Sequence, residues 1–310
     1  MQNNQQVRVI DPILTTFVRG YSNNEFVGSL LFPNVDVDAS GGQVIEFGKE
    51  GFLLYDTQRA PGAGTKRMEW GYLGKPFALE NHALEAVVPD EHGRDAAVVP
   101  SIDLAQEAVG LVFDSLGLKL EYQRAKLARD PNNYAASNKV ALSGTSQWDT
   151  TTGTPKADVT AGASAIRAQT GKKPNVLILP PMGLSKLDRN PDVRDRLKYT
   201  SKDTVTAQAL ANYFEVETVV EGCAVYANQA NGAFIDVWGK DVVMAYVPKN
   251  FRSQRAPSYG YTYNLRGHPN VKTPYRDENR ESWVYGIKHE RNPVIAGAGA
   301  GYLIQNVFGS

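Results

Sequence analysis

Apolar residues recur with a helical period over the longest uninterrupted pattern in the chain. The pattern begins after Pro100 and meets no proline until Pro131. Ser101 is the expected N-cap, with Asp103 in the first turn. At 1.5 Å per residue, this helix is about 40 Å long. Two apolar stripes predict packing on more than one side. They are Ile102, Ala105, Val109, Val112, Leu116, Leu120 and Leu127, and Leu104, Ala108, Leu111, Leu118, Tyr122 and Ala125.

A strand-like pattern precedes this helix. Apolar residues alternate with polar or small ones around a Pro-Gly loop at 59–66, and Met68, Trp70 and Tyr72 follow in strict alternation. The pattern predicts a long hairpin that begins at about Gln43 and extends by roughly 35 Å. A two-stranded ribbon of this length is marginal in water unless its apolar face is covered, so we expect the cover to come from elsewhere.

The remaining pattern mixes helices and strands without regular alternation, which favours an α+β fold. The first forty residues carry only short apolar patches and read as an arm that lies along another surface. Helices are predicted at 156–170, 182–188 and 204–214, the last capped by Thr204. Strands are predicted at 175–179, 216–220, 224–227, 233–237, 242–247, 282–287 and 302–308, with further extended structure around 259–263.

Composition narrows the classes of function. The chain has 33 basic and 33 acidic residues, which leaves no net charge to attract nucleic acid or an acidic membrane. Cys223 is the only cysteine, so an intrachain disulfide or a thiolate zinc cluster is excluded. No apolar run reaches the roughly eighteen residues of a membrane span, and the polar N-terminus does not resemble a signal peptide. We expect a chain that folds in a reducing cytoplasm.

The sequence lacks the common catalytic and cofactor motifs. The glycines Gly297, Gly299 and Gly301 have G-x-G-x-G spacing, whereas the dinucleotide fingerprint needs G-x-G-x-x-G between a strand and a helix. We interpret them as a bend before a closing strand, where chains approach closely. Gly171 and the lysines after it are interpreted as a helix stop. Cys223 is expected to be an inert buried thiol.

Two charged clusters admit alternative interpretations. The stretch from Asp90 to Asp95 could bind a metal, but a solvated linker between hairpin and helix is favoured. Between Lys186 and Asp203, Arg194 and Arg196 are interleaved with acidic residues. Interleaved signs favour ion pairs at a protein interface over nucleic-acid binding, which would use a uniformly basic stripe.

The order of these segments resembles the major capsid proteins of tailed bacteriophages, whose fold is named after phage Hong Kong ninety-seven. The resemblance covers nearly the whole chain, and it rests on the ordered succession of motifs more than on any single motif. The motifs are FGKEGFLLYDTQRAPGA, the linker HALEAVVPDE, LSGTSQWDT, IRAQTGKKPNVLILP, NPDVRDRLKYTS and WGKDVVMAYVP.

The resemblance implies a division of the chain. It gives an N-terminal arm at 1–40, an extended loop at 41–90, and a peripheral domain at 91–157 with a spine helix at 101–130. An axial domain follows at 158–274, and C-terminal strands at 275–310 return to the peripheral domain. Because the extended loop begins by about residue 40, a separate scaffolding protein is implied.

The resemblance also implies the function and the partners. The chain is expected to assemble as hexamers and pentamers into an icosahedral virion capsid that encloses double-stranded DNA, with weak and non-specific DNA contacts. Further implied partners are a scaffolding protein and a portal, and a decoration protein is a further possible partner. We expect no contact with a membrane and no metal, cofactor or catalytic residue. Assembly is expected in the host bacterial cytoplasm. The candidate assembly contacts are Arg59, Lys66, Met68, Trp70, Tyr72, Arg194 and Arg196.

Three alternatives remain open at the level of sequence. Some capsid proteins join a loop lysine to a neighbour's asparagine, and Lys66 near the hairpin tip is the candidate lysine. An encapsulin, a compartment shell that holds cargo protein, would share the fold. An α/β nucleotide-binding enzyme would use Gly297, Gly299 and Gly301 or the Gly171 region, and it is the least favoured reading because the matching motifs are incomplete.

Overall fold

The fold combines helices with two larger sheets and two small ribbons, which confirms the α+β prediction. The computed structural model describes residues 11, 14–16, 25–46, 54, 57–61, 65, 73–96, 103–197, 206–228, 230, 232–249 and 258–309. The helices are α1 Asp90–Ala96, α2 Leu104–Arg129, α3 Pro155–Thr170, α4 Gly183–Arg189, α5 Pro191–Leu197 and α6 Ala207–Phe214. The strands are β1 Asn34–Val37, β2 Gly41–Glu46, β3 Leu73–Ala78, β4 Glu80–Pro89, β5 Lys139–Ala141, β6 Val176–Leu179, β7 Thr218–Glu221, β8 Val225–Ala227, β9 Phe234–Asp236, β10 Val242–Ala245, β11 Gly260–Leu265, β12 Asn270–Val271, β13 Tyr275–Asp277, β14 Ser282–Ile295 and β15 Gly301–Gln305.

The six-stranded sheet is built around the long strand β14. Strand β4 pairs antiparallel with β14 over ten residues, from Glu80 opposite Arg291 to Pro89 opposite Ser282. On the other edge of β14, the strands β11, β12 and β13 pair in succession, and β1 adds to β11 in parallel. The segment HALEAVVPDE, predicted as a linker, is therefore mostly strand β4.

Helix α2 packs on this sheet and is the predicted spine helix. Its N-cap is Asp103, whose side chain accepts hydrogen bonds from two backbone N–H groups of the first turn, so the prediction of Ser101 as the cap is wrong. Val109, Val112 and Leu116 are buried against the sheet. The second predicted stripe is covered only in part, because Leu111 is 67% exposed.

The five-stranded sheet has the strand order β5, β15, β10, β6, β7. Ile166 from α3, Leu177 from β6 and Ile304 from β15 are fully buried in its main core. Helix α3 ends where predicted, with Gly171 at a φ of 66° and its N–H donating to the Arg167 carbonyl. Within 275–310, β13 and β14 belong to the sheet under α2, whereas β15 pairs with β10 in the five-stranded sheet. The implied domain at 275–310 stays a prediction.

The base of the predicted hairpin is present. Strands β2 and β3 pair antiparallel, from Gly41 opposite Ala78 to Glu46 opposite Leu73. Val44 is buried among aromatic residues of β11, and the ring of Phe77 stacks on that of Tyr263 at 4.2 Å. The base therefore packs within its own chain. Most of residues 47–72 lie outside the described part, so the length of the hairpin stays a prediction.

The described residues of the N-terminal arm also pack on their own chain. Leu14 lies in the core beneath α2, and the Thr15 hydroxyl accepts a hydrogen bond from the Val271 N–H at 3.0 Å. Leu31 and Phe32 are fully buried between α2 and the sheets. This differs from the prediction of an arm that lies across another surface, because these apolar patches find their cover in the same chain.

Three local predictions change. The stretch from Asp90 to Asp95 forms helix α1 and is not an irregular linker. Helix α5, at Pro191–Leu197, was not predicted, because it is short and most of its residues are charged, so few apolar positions show a helical period. Helix α6 is capped by the Thr206 hydroxyl, which accepts a hydrogen bond from the Ala209 N–H at 3.2 Å, so Thr204 is not its cap.

Candidate functional site

The residues proposed for assembly fall into two groups. In the hairpin, Arg59 is exposed and its Nη1 donates to the Thr65 hydroxyl at 3.1 Å. Lys66, Met68, Trp70 and Tyr72 lie outside the described residues, so their role stays a prediction. Of the hairpin candidates, Arg59 alone lies in the described part of the chain.

The second group lies on helix α5. Arg194 and Arg196 are both exposed, and the Nε of Arg196 lies 3.5 Å from Asp192 Oδ1, one helical turn away. The other carboxylate oxygen of Asp192 accepts a hydrogen bond from the Tyr213 hydroxyl at 2.7 Å. Burial and this hydrogen bond raise the pKa of Tyr213. Part of the mixed charge is thus balanced within the chain, which leaves Arg194 as the better candidate for an external contact.

Several large apolar side chains are exposed in the described part of the chain. Phe234 on the β8–β9 ribbon is 78% exposed and Met182 before α4 is 66% exposed. Scattered apolar residues are normal on a monomer, and these lie on several separate elements. The others of this kind are Leu54, Leu84, Val87, Leu111, Val225, Ile235, Tyr275 and Trp283.

A buried carboxylate joins three segments of the chain. Glu121 of α2 is inaccessible to solvent, and its oxygens accept hydrogen bonds from the N–H groups of Val27 and Gly28 at 2.9–3.0 Å. They also accept one from the Trp238 indole N–H at 2.8 Å. Burial raises the pKa of Glu121, and these donors offset the rise in part. The carboxylate fixes the arm and the segment before β10 against the spine helix.

Arg124 extends this buried network by one turn of α2. Its guanidinium donates to the Thr262 hydroxyl and to the Asn34 side-chain oxygen at 2.7 Å, which ties β1 and β11 to the helix. Burial lowers the pKa of Arg124 to about 10. The sequence interpretation missed Glu121 and Arg124. The available signal was the presence of two charged residues beside the buried apolar stripe of α2.

A cluster of basic side chains lies where α2 meets β4 and β14. His82 and His289 are opposite each other in the sheet, and Arg291 Nη1 lies 3.3 Å from His289 Nδ1. The guanidinium of Arg291 also donates to the Leu116 carbonyl. Among the described residues, Arg291 Nε and His289 Nε2 have no hydrogen-bond partner, and His82 Nε2 lies 3.5 Å from Glu80 Oε2. Burial, with a contribution from Arg291, lowers the pKa of His289 to about 2.

The motifs considered for chemistry have structural roles. A Cβ at Gly301 would lie 2.4 Å from the Tyr259 ring, and one at Gly299 would lie 2.3 Å from Gln169 Oε1, which confirms close chain approach at these glycines. Cys223 is exposed, so the prediction of a buried thiol is wrong; partial burial and the nearby Glu221 raise its pKa. In the described residues, no three His, Cys, Asp or Glu side chains form a metal-binding group.

A family model described as phage major capsid protein E matches residues 130–297. The major capsid protein of Burkholderia phage BcepMu is 36% identical over 309 residues, which cover 98% of each chain. A solved phage-related protein from Bordetella bronchiseptica is 42% identical with a TM-score of 0.83, and the match covers 97% of this chain and 99% of that one.

More distant structures share the fold alone. The encapsulin of Synechococcus elongatus is 14% identical with a TM-score of 0.51, over 99% of this chain and 91% of that one. Solved phage capsid subunits have the same architecture, so the fold is of the Hong Kong ninety-seven type. The chain belongs to the phage major capsid protein family. Among the described helices, none is long and apolar enough to cross a membrane.

Proposed function

We propose that this chain assembles as hexamers and pentamers into the icosahedral shell that encloses double-stranded phage DNA. The observation that carries the proposal is the identity of 36% to a major capsid protein along 98% of both chains. The family is structural, and we assign no catalytic residue. A scaffolding protein and a portal are the expected partners in the host cytoplasm. An encapsulin shares only the fold, at 14% identity, which favours a genome over protein cargo.

The proposed mechanism of assembly is shared burial. The described parts of the arm and of the hairpin base already pack within the chain. We therefore expect the contacts between copies to involve the rest of the hairpin and exposed apolar residues such as Phe234 and Leu111. Each such contact is modest, but closed symmetry repeats it in every copy, so the contacts act together.

Trp70→Ala tests the hairpin part of this proposal. We expect the variant to fold normally but to form few particles, because the substitution removes an apolar group that a neighbouring copy covers. Thermal unfolding followed by circular dichroism measures folding. Electron microscopy of material co-expressed with the adjoining genes measures assembly. Normal particles from a chain with lowered thermal stability would show that the hairpin packs only within its own chain.

Trp148→Ala serves as the matched control. Trp148 is fully buried and lies against the rings of Phe214 and Phe308. Removing a buried tryptophan typically costs about 3–5 kcal/mol of stability. We therefore expect this variant to lose thermal stability directly, so that the two substitutions separate a folding defect from an assembly defect.

A further inference from the structure

A cleft of about 170 Å³ lies along one side of helix α3. Its floor follows the helix from Lys156 to Arg167, a distance of about 16 Å at 1.5 Å per residue. The segment after α3 and the end of α6 form its walls. The lining residues are Lys156, Thr160, Ala163, Ser164, Arg167, Lys173, Pro174, Phe214 and Glu215.

The charges of the cleft do not balance. Lys156 Nζ lies 2.8 Å from Glu215 Oε1 and also donates to the Tyr213 carbonyl, so this lysine and this carboxylate satisfy each other. Hydrogen bonding and charge from Lys156 lower the pKa of Glu215. Within the described chain, Arg167 and Lys173 form no hydrogen bond through their side chains and no ion pair. The charge of Lys173 also contributes to the lowered pKa of Glu215, so the cleft holds three cations against one carboxylate.

The neutral lining suits an oxygen-rich ligand. The Ser164 hydroxyl makes no hydrogen bond in the described chain, and it lies on the same face of α3 as Arg167, three residues away. Ala163, Pro174 and the buried ring of Phe214 supply apolar surface, while Ser164, Arg167 and Lys173 are exposed to solvent. One water takes about 30 Å³ in the liquid, so the cleft has room for a small anion and its waters.

We propose that this cleft binds an oxyanion, held by the Arg167 guanidinium and the Lys173 ammonium with the Ser164 hydroxyl as a further donor. Arginine matches a phosphate or a carboxylate through two parallel N–H groups, and lysine adds a point charge. Phosphate and carboxylate share this chemistry, and the experiment distinguishes them. Anion binding is measured on the unassembled chain, so its test does not depend on whether the chain forms a shell.

The test is a titration of the unassembled full-length chain with inorganic phosphate, at constant ionic strength set with chloride. We expect saturable binding that weakens at least about tenfold, or about 1.4 kcal/mol, in Arg167→Gln and in Lys173→Gln. Lys172→Gln is the matched control, since Lys172 is an exposed neighbour that does not line the cleft. It should bind phosphate as tightly as the unmodified chain does.

The second arm of the experiment replaces phosphate with acetate. Acetate binding with the same dependence on Arg167 and Lys173 supports the cleft as a carboxylate site, and binding of phosphate alone supports it as a phosphate site. The proposal is overturned if neither anion binds. It is also overturned if the cleft variants bind as well as the unmodified chain, or if Lys172→Gln weakens binding as much as they do. Circular dichroism confirms that each variant is folded.

Discussion

At the scale of single residues, the buried basic groups beneath α2 have the clearest consequence. His289 is 7% exposed and faces Arg291, with His82, His268 and Arg124 also contributing positive potential. On the nearby strand and helix, Glu80 and Lys119 act on His82. Desolvation and these positive neighbours both disfavour the imidazolium form. His289 is therefore neutral in the folded chain near neutral pH.

We predict that acid destabilises the fold through His289. Its pKa is about 2 when folded and 6.5 in the reference state, so between these values only the unfolded chain binds the proton. The contribution of neutral His289 to the free energy of unfolding is fully present above pH 6.5 and is lost as the pH falls below that value. The free energy of unfolding then decreases by at most about 1.4 kcal/mol per pH unit. Urea unfolding of the unassembled chain between about pH 5 and 7 measures it.

The comparison uses two histidine variants. His289→Asn keeps a hydrogen-bond acceptor for Arg291 and cannot titrate, so its free energy of unfolding should fall less steeply with acid than that of the unmodified chain. His92→Gln removes an exposed histidine from α1 and should leave the steeper dependence intact. Equal slopes in the unmodified chain and in His289→Asn would contradict the assignment to His289.

Residue roles of this kind were not visible in the sequence. His82 and His289 are 207 positions apart and meet only through the register of β4 and β14. Glu121 stands in a helix pattern where a charged residue normally faces solvent. In contrast, the close-packing role of the glycines near the C-terminus was predictable, because their spacing fits no cofactor motif and precedes a strand. Local spacing predicts local constraints, whereas long-range polar contacts depend on the register.

At the scale of elements, the junction at Glu121 fixes where the arm leaves the spine helix. A Cβ at Gly28 would lie 2.7 Å from Glu121 Oε2 and 2.9 Å from Arg124 Cδ. Hydrogen bonds hold both of these side chains, so neither moves freely. The arm therefore approaches α2 more closely than a side chain at position 28 would permit.

We predict that Gly28→Ala lowers the free energy of unfolding by about 1–3 kcal/mol, the usual cost of overpacking. Gly110→Ala is the control, because no atom of the described residues outside the backbone of α2 lies within 4 Å of a Cβ placed there. In the interior of α2 this change should raise stability by up to about 1 kcal/mol. Urea unfolding measures both. An unchanged stability of Gly28→Ala would show that the arm and the helix are not closely coupled.

Elements with a clear period and clear boundaries were predictable, while others were not. Helix α3 ends at Gly171, as its glycine and following proline indicate. The central strand β14 extends to Ile295, beyond the predicted end at Ile287, through the charged stretch Lys288 to Arg291. Tertiary pairing with β4 and burial under α2 override the low strand propensity of these residues.

At the scale of the whole molecule, two sheets share one long helix and one closing segment. Strands β14 and β15 are consecutive in sequence, yet β14 lies under α2 and β15 lies in the five-stranded sheet. The bend at Gly297–Gly301 therefore joins the two halves of the fold. The domain boundaries at 41–90, 91–157 and 158–274 stay predictions. Strands from different predicted domains pair in the same sheet, so the sheets do not mark these boundaries.

The described arm and hairpin base hide their apolar residues within one chain, so assembly depends on what remains exposed. Phe234, Leu111 and Met182 are each more than 60% exposed. The residues around Trp70 are predicted from the sequence to form a ribbon, which would be marginal without a cover. A chain of this kind gains stability when further copies cover these surfaces. Several copies are therefore expected to close into a shell.

Electron microscopy of particles from cells that express this chain with its adjoining genes tests that claim most directly. We expect closed icosahedral shells whose subunits contact one another through the hairpin and the exposed apolar residues. A compact chain that stays monomeric at high concentration, and forms no closed particle even beside its expected partners, would contradict it.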